Sequence, residues 1–314
     1  MTKRILDAAA SDFRAMSPQE LEESIRKAEG RTIACECVSS IPSLIDGVTN
    51  AEVVAAMGAD LIILNVYDVN YPVIFGLPGA NNLPIWNTNP EAFFRMVGGT
   101  IHDLKQLVGV PIGIVLESSD IADASYQGRK ATVENARKAR DQGADIVYIT
   151  GNPGAGTTNR GIIQAVDEIR SKMDGELFIV AGKIHGAGVT AEQGSTLMNA
   201  TDVQAICRAG AHAVAMPMPA AVPGWTVEHA HALADAAHKE GRLAWMVLDH
   251  GIEGAQREAI IQFAMHASMA GADVLEIGDS GLGGIALPEN VMEMSLVVRG
   301  RRHTYRRMAM SINR

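Results

Sequence analysis

Residues able to do acid–base or metal chemistry recur at the ends of apolar runs in this chain. Glu36, Glu117 and Lys183 each end such a run, and Asp249 and His250 end another. Glu276 lies within a run, Asp279 follows it, and Asp68 and Asn65 stand at or just past the end of one more. A carboxylate in an apolar strand is costly to bury without partners, so several at one end point to a catalytic pocket. Lys183 sits among small neighbours in Ala181-Gly182-Lys183-Ile184-His185. A desolvated lysine can form a Schiff base with a carbonyl substrate or serve as acid or base; it can equally neutralise carboxylates or grip an anion. His185 and His250 are candidate proton shuttles, since imidazole titrates near neutrality. Glu117 and Glu276, with Glu36, are candidate ligands for Mg²⁺ or Mn²⁺, Asp68 or Asp249 being further candidates, because these hard cations take oxygen donors.

The elements that must position these groups are marked four times. Gly58-Ala59-Asp60, Gly143-Ala144-Asp145, Gly210-Ala211-His212 and Gly271-Ala272-Asp273 each follow a helix-like segment and run into a short apolar stretch. Glycine stops a helix in the left-handed conformation, and the apolar run behind it reads as a buried parallel strand. The marks begin at residues 58, 143, 210 and 271, that is 85, 67 and 61 residues apart. One βαβ unit takes about 30 residues or more, so each interval holds two units. Strands predicted at 32–38, 111–117, 177–183 and 243–250 fill the gaps. Eight βα units favour closure into an α/β (β/α)8 TIM barrel over an open doubly wound sheet, and no GxGxxG follows the first strand.

Helix starts recur where this plan needs them. Ser17-Pro18-Gln19-Glu20 opens a helix over 18–29, part of an N-terminal helical extension (residues 1–31) that covers the bottom of a barrel spanning 32–314. Thr49 to Glu52 is a capping box, Asn89-Pro90-Glu91 opens the second barrel helix, Thr226 caps 227–239, and Pro288-Glu289 starts the last helix. Segments after strands are long at 69–89, 118–130, 151–159 and 184–201. In barrels these loops build the active site. The 69–89 loop carries Tyr71, Phe75 and Trp86, suited to closing over a ligand or packing on another subunit of a homo-oligomer.

Two glycine-rich loops close the chain's chemistry. Gly251 and Gly254 follow the seventh strand; Gly278, Ser280, Gly281, Gly283 and Gly284 follow the eighth. Such loops let backbone N–H groups approach a phosphate, and the last two loops are its common cradle in barrels. Glu253 and Asp279 would repel a phosphate if they turned inward. The 151–158 loop lacks the GK[ST] ending of a nucleotide P-loop, and presents Asn152 or Thr157 to substrate instead.

Composition sets the remaining bounds. The formal net charge of −9 disfavours nonspecific nucleic-acid binding, although 299–314 is basic. No apolar run approaches the length of a membrane span, and the N-terminus lacks a signal-peptide core. The three cysteines, with Cys35 and Cys37 on one strand, fit reduced thiols in the cytoplasm.

The strand marks and the last two glycine loops resemble the phosphate-binding (β/α)8-barrel superfamily, which includes phosphosugar epimerases, thiamine-phosphate synthase and indole-glycerol-phosphate synthase. The chain also looks like a bacterial barrel family labelled phosphoenolpyruvate-phosphonomutase-like, without that mutase's Glu-Asp-Gln motif or the Lys-Lys-Cys-Gly-His motif of its lyase relatives. The resemblance implies the barrel and carries no catalytic residue. Taken together, the sequence predicts an enzyme that abstracts a proton next to a carbonyl of a small phosphorylated metabolite, a sugar phosphate or keto acid, as an isomerase, epimerase or aldolase-type lyase. A metal-dependent hydrolase on the same face and a non-enzymatic ligand-binding barrel are the alternatives.

Overall fold

The computed structural model describes residues 2–78, 99–173 and 175–314. Trp86 and the helix start at Asn89 fall outside them. Eight strands, β1 (Thr32–Val38), β2 (Leu61–Asn65), β3 (Ile112–Glu117), β4 (Ile146–Thr150), β5 (Phe178–Gly182), β6 (Ala213–Pro217), β7 (Leu243–Leu248) and β8 (Val274–Ile277), pair in sequence order. The parallel β1–β8 pairing, with Thr32 opposite Val274 and Ala34 opposite Glu276, closes the barrel. Helices α1 (Ala10–Ala15), α2 (Pro18–Arg26), α3 (Asn50–Ala56), α4 (Ile101–Val108), α5 (Val133–Asp141), α6 (Asn159–Lys172), α7 (Ala200–Ala209), α8 (Val227–Lys239), α9 (Arg257–Ala270) and α10 (Pro288–Met308) accompany them. The fold is a (β/α)8 TIM barrel with N-terminal helices.

The fourfold mark has a physical cause. The last residue of each mark clasps the preceding strand at the bottom of the barrel. Side-chain atoms of Asp60, Asp145, His212 and Asp273 accept the N–H of Ile33 (3.0 Å), Ile112 (2.9 Å), Ile179 (2.9 Å) and Ala244 (2.8 Å). The backbone N–H of the same four residues returns to the carbonyl of the same partner at 2.8–2.9 Å. Each strand start thus has its first polar groups satisfied, as buried backbone requires. Three clasps also receive a basic side chain from a helix: Lys105 of α4 on Asp145 at 2.6 Å, His238 of α8 on Asp273 at 2.7 Å, and Arg299 with Arg307 of α10 on Asp60. At the fourth, His212 replaces the carboxylate and stacks on Phe178, ring centroids 4.9 Å apart.

The chain ends are tied to this same floor. Ser17 and Glu20 form the expected capping box, and α2 ends at Arg26, earlier than the predicted residue 29. The basic C-terminal segment is a staple. Gly300, at φ +68°, breaks α10, and Arg299 and Arg307 on either side converge on buried Asp60. Arg307 also donates to the Ile5 carbonyl at 2.6 Å, and Arg306 to that of Leu6 at 2.9 Å. The thiols of Cys35, Cys37 and Cys207 are free and buried. Among the described residues no helix is long and apolar enough to cross a membrane.

Candidate active site

The C-terminal ends of β1, β7 and β8 bring five carboxyl groups together. Ligand oxygens of Asp249, Glu253 and Asp279 all lie within 4.8 Å of one another. Glu36 and Glu276 stand beside them, and four of the five (Glu36, Glu253, Glu276 and Asp279) are buried. Burial is the main cause that raises the pKa of Glu36, reinforced by the charges of Asp279, Glu276, Asp249 and Glu253. Burial pushes Glu253 up to about 7, with Asp249 and Asp279 adding to it. Glu276 is pushed up to about 8, again chiefly by burial, against the opposing hydrogen bond from the Trp245 indole N–H. Asp279 is raised by burial too, opposed by the Asn65 amide, which donates to it at 2.9 Å. So many carboxyls cannot all ionise in one small volume unless a cation joins them.

The remaining predicted residues divide among neighbouring groups. His185 Nε2 stands 3.6 Å from Asp249, its ring 4.6 Å from that of His250, and its Nδ1 is buried without a hydrogen-bond partner. Burial lowers the His185 pKa, against the opposing charge of Asp249, and so favours the neutral imidazole. Lys183 is 2% exposed and ion-paired with Glu192, from the loop after β5. Glu117 accepts from the Tyr126 hydroxyl and the Arg129 guanidinium, which lies over the Tyr126 ring at 4.5 Å. The proposed metal pair therefore separates: Glu117 is held by an arginine, Glu276 by Trp245, and neither joins the close group of Asp249, Glu253 and Asp279. Asp68 accepts the N–H groups of Asn70 (2.7 Å) and Tyr71 (3.2 Å), a turn-forming role. Asn152 is exposed, and its carbonyl accepts the N–H of Ala155 at 2.8 Å.

The glycine-rich loops present carboxyls at the barrel mouth. Both Glu253 and Asp279 turn inward, at 0% and 6% exposure. Several of the N–H groups expected for phosphate are engaged: Ser280 donates to Glu253 at 2.6 Å, Gly278 to the Leu248 carbonyl at 2.8 Å and Gly254 to that of Gly251 at 3.2 Å. Gly281 packs tightly, since a Cβ there would stand 3.0 Å from the Ile285 carbonyl oxygen. The Gly283 carbonyl accepts from Asn50 at 2.9 Å and that of Gly284 from the Val38 N–H at 2.9 Å, which ties this loop to β1 and α3.

Backbone strain collects on this face. Among the described residues five non-glycine positions have positive φ, and four of them, Val66, Ala187, Ala220 and His250, follow β2, β5, β6 and β7. Such conformations cost about 1–3 kcal/mol each and persist where the surroundings impose them, often at functional sites. Val66 is the sharpest case, a β-branched residue at φ 57° whose N–H is held by the Asn65 side chain at 2.8 Å. Sequence reasoning did not single out Glu192, Tyr126, Arg129 or Trp245. Three of them lie in the long loops after β3 and β5, and loop length was the one trace they left.

Fold and mouth together define a TIM barrel with a carboxyl-rich face. The chain belongs to the family described as Domain of unknown function (DUF7916), whose model matches residues 6–314. No curated protein matches it in sequence. In structure it is similar to an archaeal fructose 1,6-bisphosphate aldolase, with 13% identity, TM-score 0.54, 90% of this chain and 100% of that one covered. An archaeal fructose-1,6-bisphosphate aldolase with its catalytic lysine covalently bound to the carbinolamine intermediate is similar at 13% identity and TM-score 0.53, over 88% of this chain and 99% of that one. The carboxyl transferase domain of Rhizobium etli pyruvate carboxylase is similar at 11% identity and TM-score 0.52, over 96% of this chain and 52% of that one. At these identities the likeness shows the fold alone.

Proposed function

We propose that this protein is a divalent-cation-dependent enzyme that removes a proton next to a carbonyl in a small oxygen-rich metabolite, of the keto-acid or sugar-phosphate class. The observation that carries this reading is the group of Asp249, Glu253 and Asp279, whose oxygens lie within 4.8 Å of one another. Hard oxygen donors of this kind suit Mg²⁺ or Mn²⁺. A bound cation would supply positive charge to polarise a substrate carbonyl. Neutral His185, beside Asp249 and with an unpartnered ring nitrogen, would accept the proton, and His250 would stand against its ring. Lys183, paired with Glu192, would act as a buried ammonium that offsets the carboxylates, not as a free amine for imine formation. A phosphate on the substrate would meet the cation, since Glu253 and Asp279 face the glycine loops.

The test is solvent exchange. Pyruvate, other 2-oxo acids and triose phosphates are incubated with the protein and Mn²⁺ in D₂O, and deuterium next to the carbonyl is followed by NMR. Exchange that needs Mn²⁺ and falls at least a hundredfold in His185→Gln supports the reading. Exchange indifferent to a chelator and to that substitution overturns it.

A further inference from the structure

A cavity adjoins the carboxyl group. It holds about 300 Å³ between the loops after β5, β6 and β7. Its apolar side includes Ala187, Leu197, Ala221 and Val222, and Glu192, Gln193 and His250 add polar groups to the lining. Leu197 and Val222 are buried side chains that belong to the packed core, so this wall is fixed. The two loops meet backbone to backbone: at Gly194, φ +54°, a Cβ would stand 2.8 Å from the Pro223 carbonyl oxygen. Ala220 donates to the Trp225 carbonyl at 2.8 Å and closes the turn that carries Ala221 and Val222. His250 joins cavity and carboxyl group, because it lines the first and follows Asp249 of the second.

Resting on the cation reading above, we propose that this cavity takes a short apolar chain of the substrate, which makes the substrate a 2-oxo acid with an aliphatic substituent beyond its third carbon. A 2-oxo acid offers adjacent carboxylate and carbonyl oxygens to a cation at Asp249, Glu253 and Asp279. Its remaining carbons would then run past His250 onto Leu197 and Val222. The space is ample, since an apolar cavity of roughly 150 Å³ holds a benzene-sized guest. Pyruvate would leave the cavity unfilled, and a polar or doubly charged chain would meet Glu192 and an apolar wall.

The experiment is calorimetric titration of the full chain with pyruvate, 2-oxobutyrate, 2-oxopentanoate and 2-oxohexanoate, each with Mn²⁺ and with a chelator. Affinity is expected to rise about fourfold per methylene in both series, as burial of each CH₂ predicts. Ala221→Leu and Val222→Phe, checked for unchanged thermal unfolding, are expected to flatten the rise. A flat series in the unmodified protein, or a rise that both variants preserve, overturns the proposal, as does failure of every 2-oxo acid to bind. Loss of the Mn²⁺ effect with the chain-length rise intact would instead remove the cation reading and keep this one.

Discussion

His212 makes the barrel floor sensitive to acid in a way that can be worked out in advance. Its Nδ1 accepts the Ile179 N–H at 2.9 Å, so the ring must be neutral at that atom. Burial, with the nearby charges of Arg170 and Arg242, lowers its pKa from 6.5 to about 3. An imidazole of this kind binds fewer protons folded than unfolded. Its contribution is present above the unfolded pKa and is lost as pH falls toward the folded one. Between pH 7 and 4.5 the loss spans roughly two pKa units, or about 3 kcal/mol. In His212→Asn an amide oxygen can accept the same N–H and does not titrate. At pH 7 the variant should be about 1 kcal/mol less stable, because the stacking on Phe178 is lost. At pH 4.5 the order should reverse, the variant being about 2 kcal/mol more stable. Urea unfolding of both proteins at the two pH values, with a chelator present, reads the difference; carboxyl groups common to both cancel. Parallel losses in the two proteins would refute the assignment.

Other perturbations have definite outcomes. Asp60→Asn leaves Arg299 and Arg307 buried without their carboxylate, and urea unfolding should show a loss of about 3–5 kcal/mol. Glu276→Gln keeps a partner for Trp245 and removes a carboxyl whose pKa is pushed up to about 8; folded Glu276 binds more protons than unfolded, so its stability is lost as pH rises. The metal-free variant should match the parent near pH 4 and exceed it by roughly 3–5 kcal/mol near pH 9 in the same assay. Borohydride added with pyruvate should leave Lys183 unmodified by mass spectrometry, and an adduct there would show the Glu192 pair to be open.

The fold was legible because it rests on local and repeated features. The Gly-Ala-Asp marks, the caps at Ser17, Thr49 and Thr226, and the apolar runs each act within a few residues. The clasp that gives the marks their acid is itself non-local, and sequence showed its period without its partner. At the mouth the outcome differs. Carboxyls at strand ends could be counted from the sequence, and Asp249 and Asp279 do gather, with Glu276 beside them. Which carboxyls would be neutralised could not be read. Arg129 reaches Glu117 and Glu192 reaches Lys183 from loops whose conformation has no periodic trace. The glycine loops read as anion cradles because glycine reports backbone freedom and not what fills the space; there Glu253 takes the Ser280 N–H.

Mn²⁺ binding to the purified chain, followed by the loss of its free EPR signal, reaches the central claim most directly. One ion should bind per chain, and Glu253→Gln and Asp279→Asn should each weaken it more than tenfold while thermal unfolding stays cooperative. A chain that leaves Mn²⁺ free, or variants that bind it as tightly as the parent, would contradict the account.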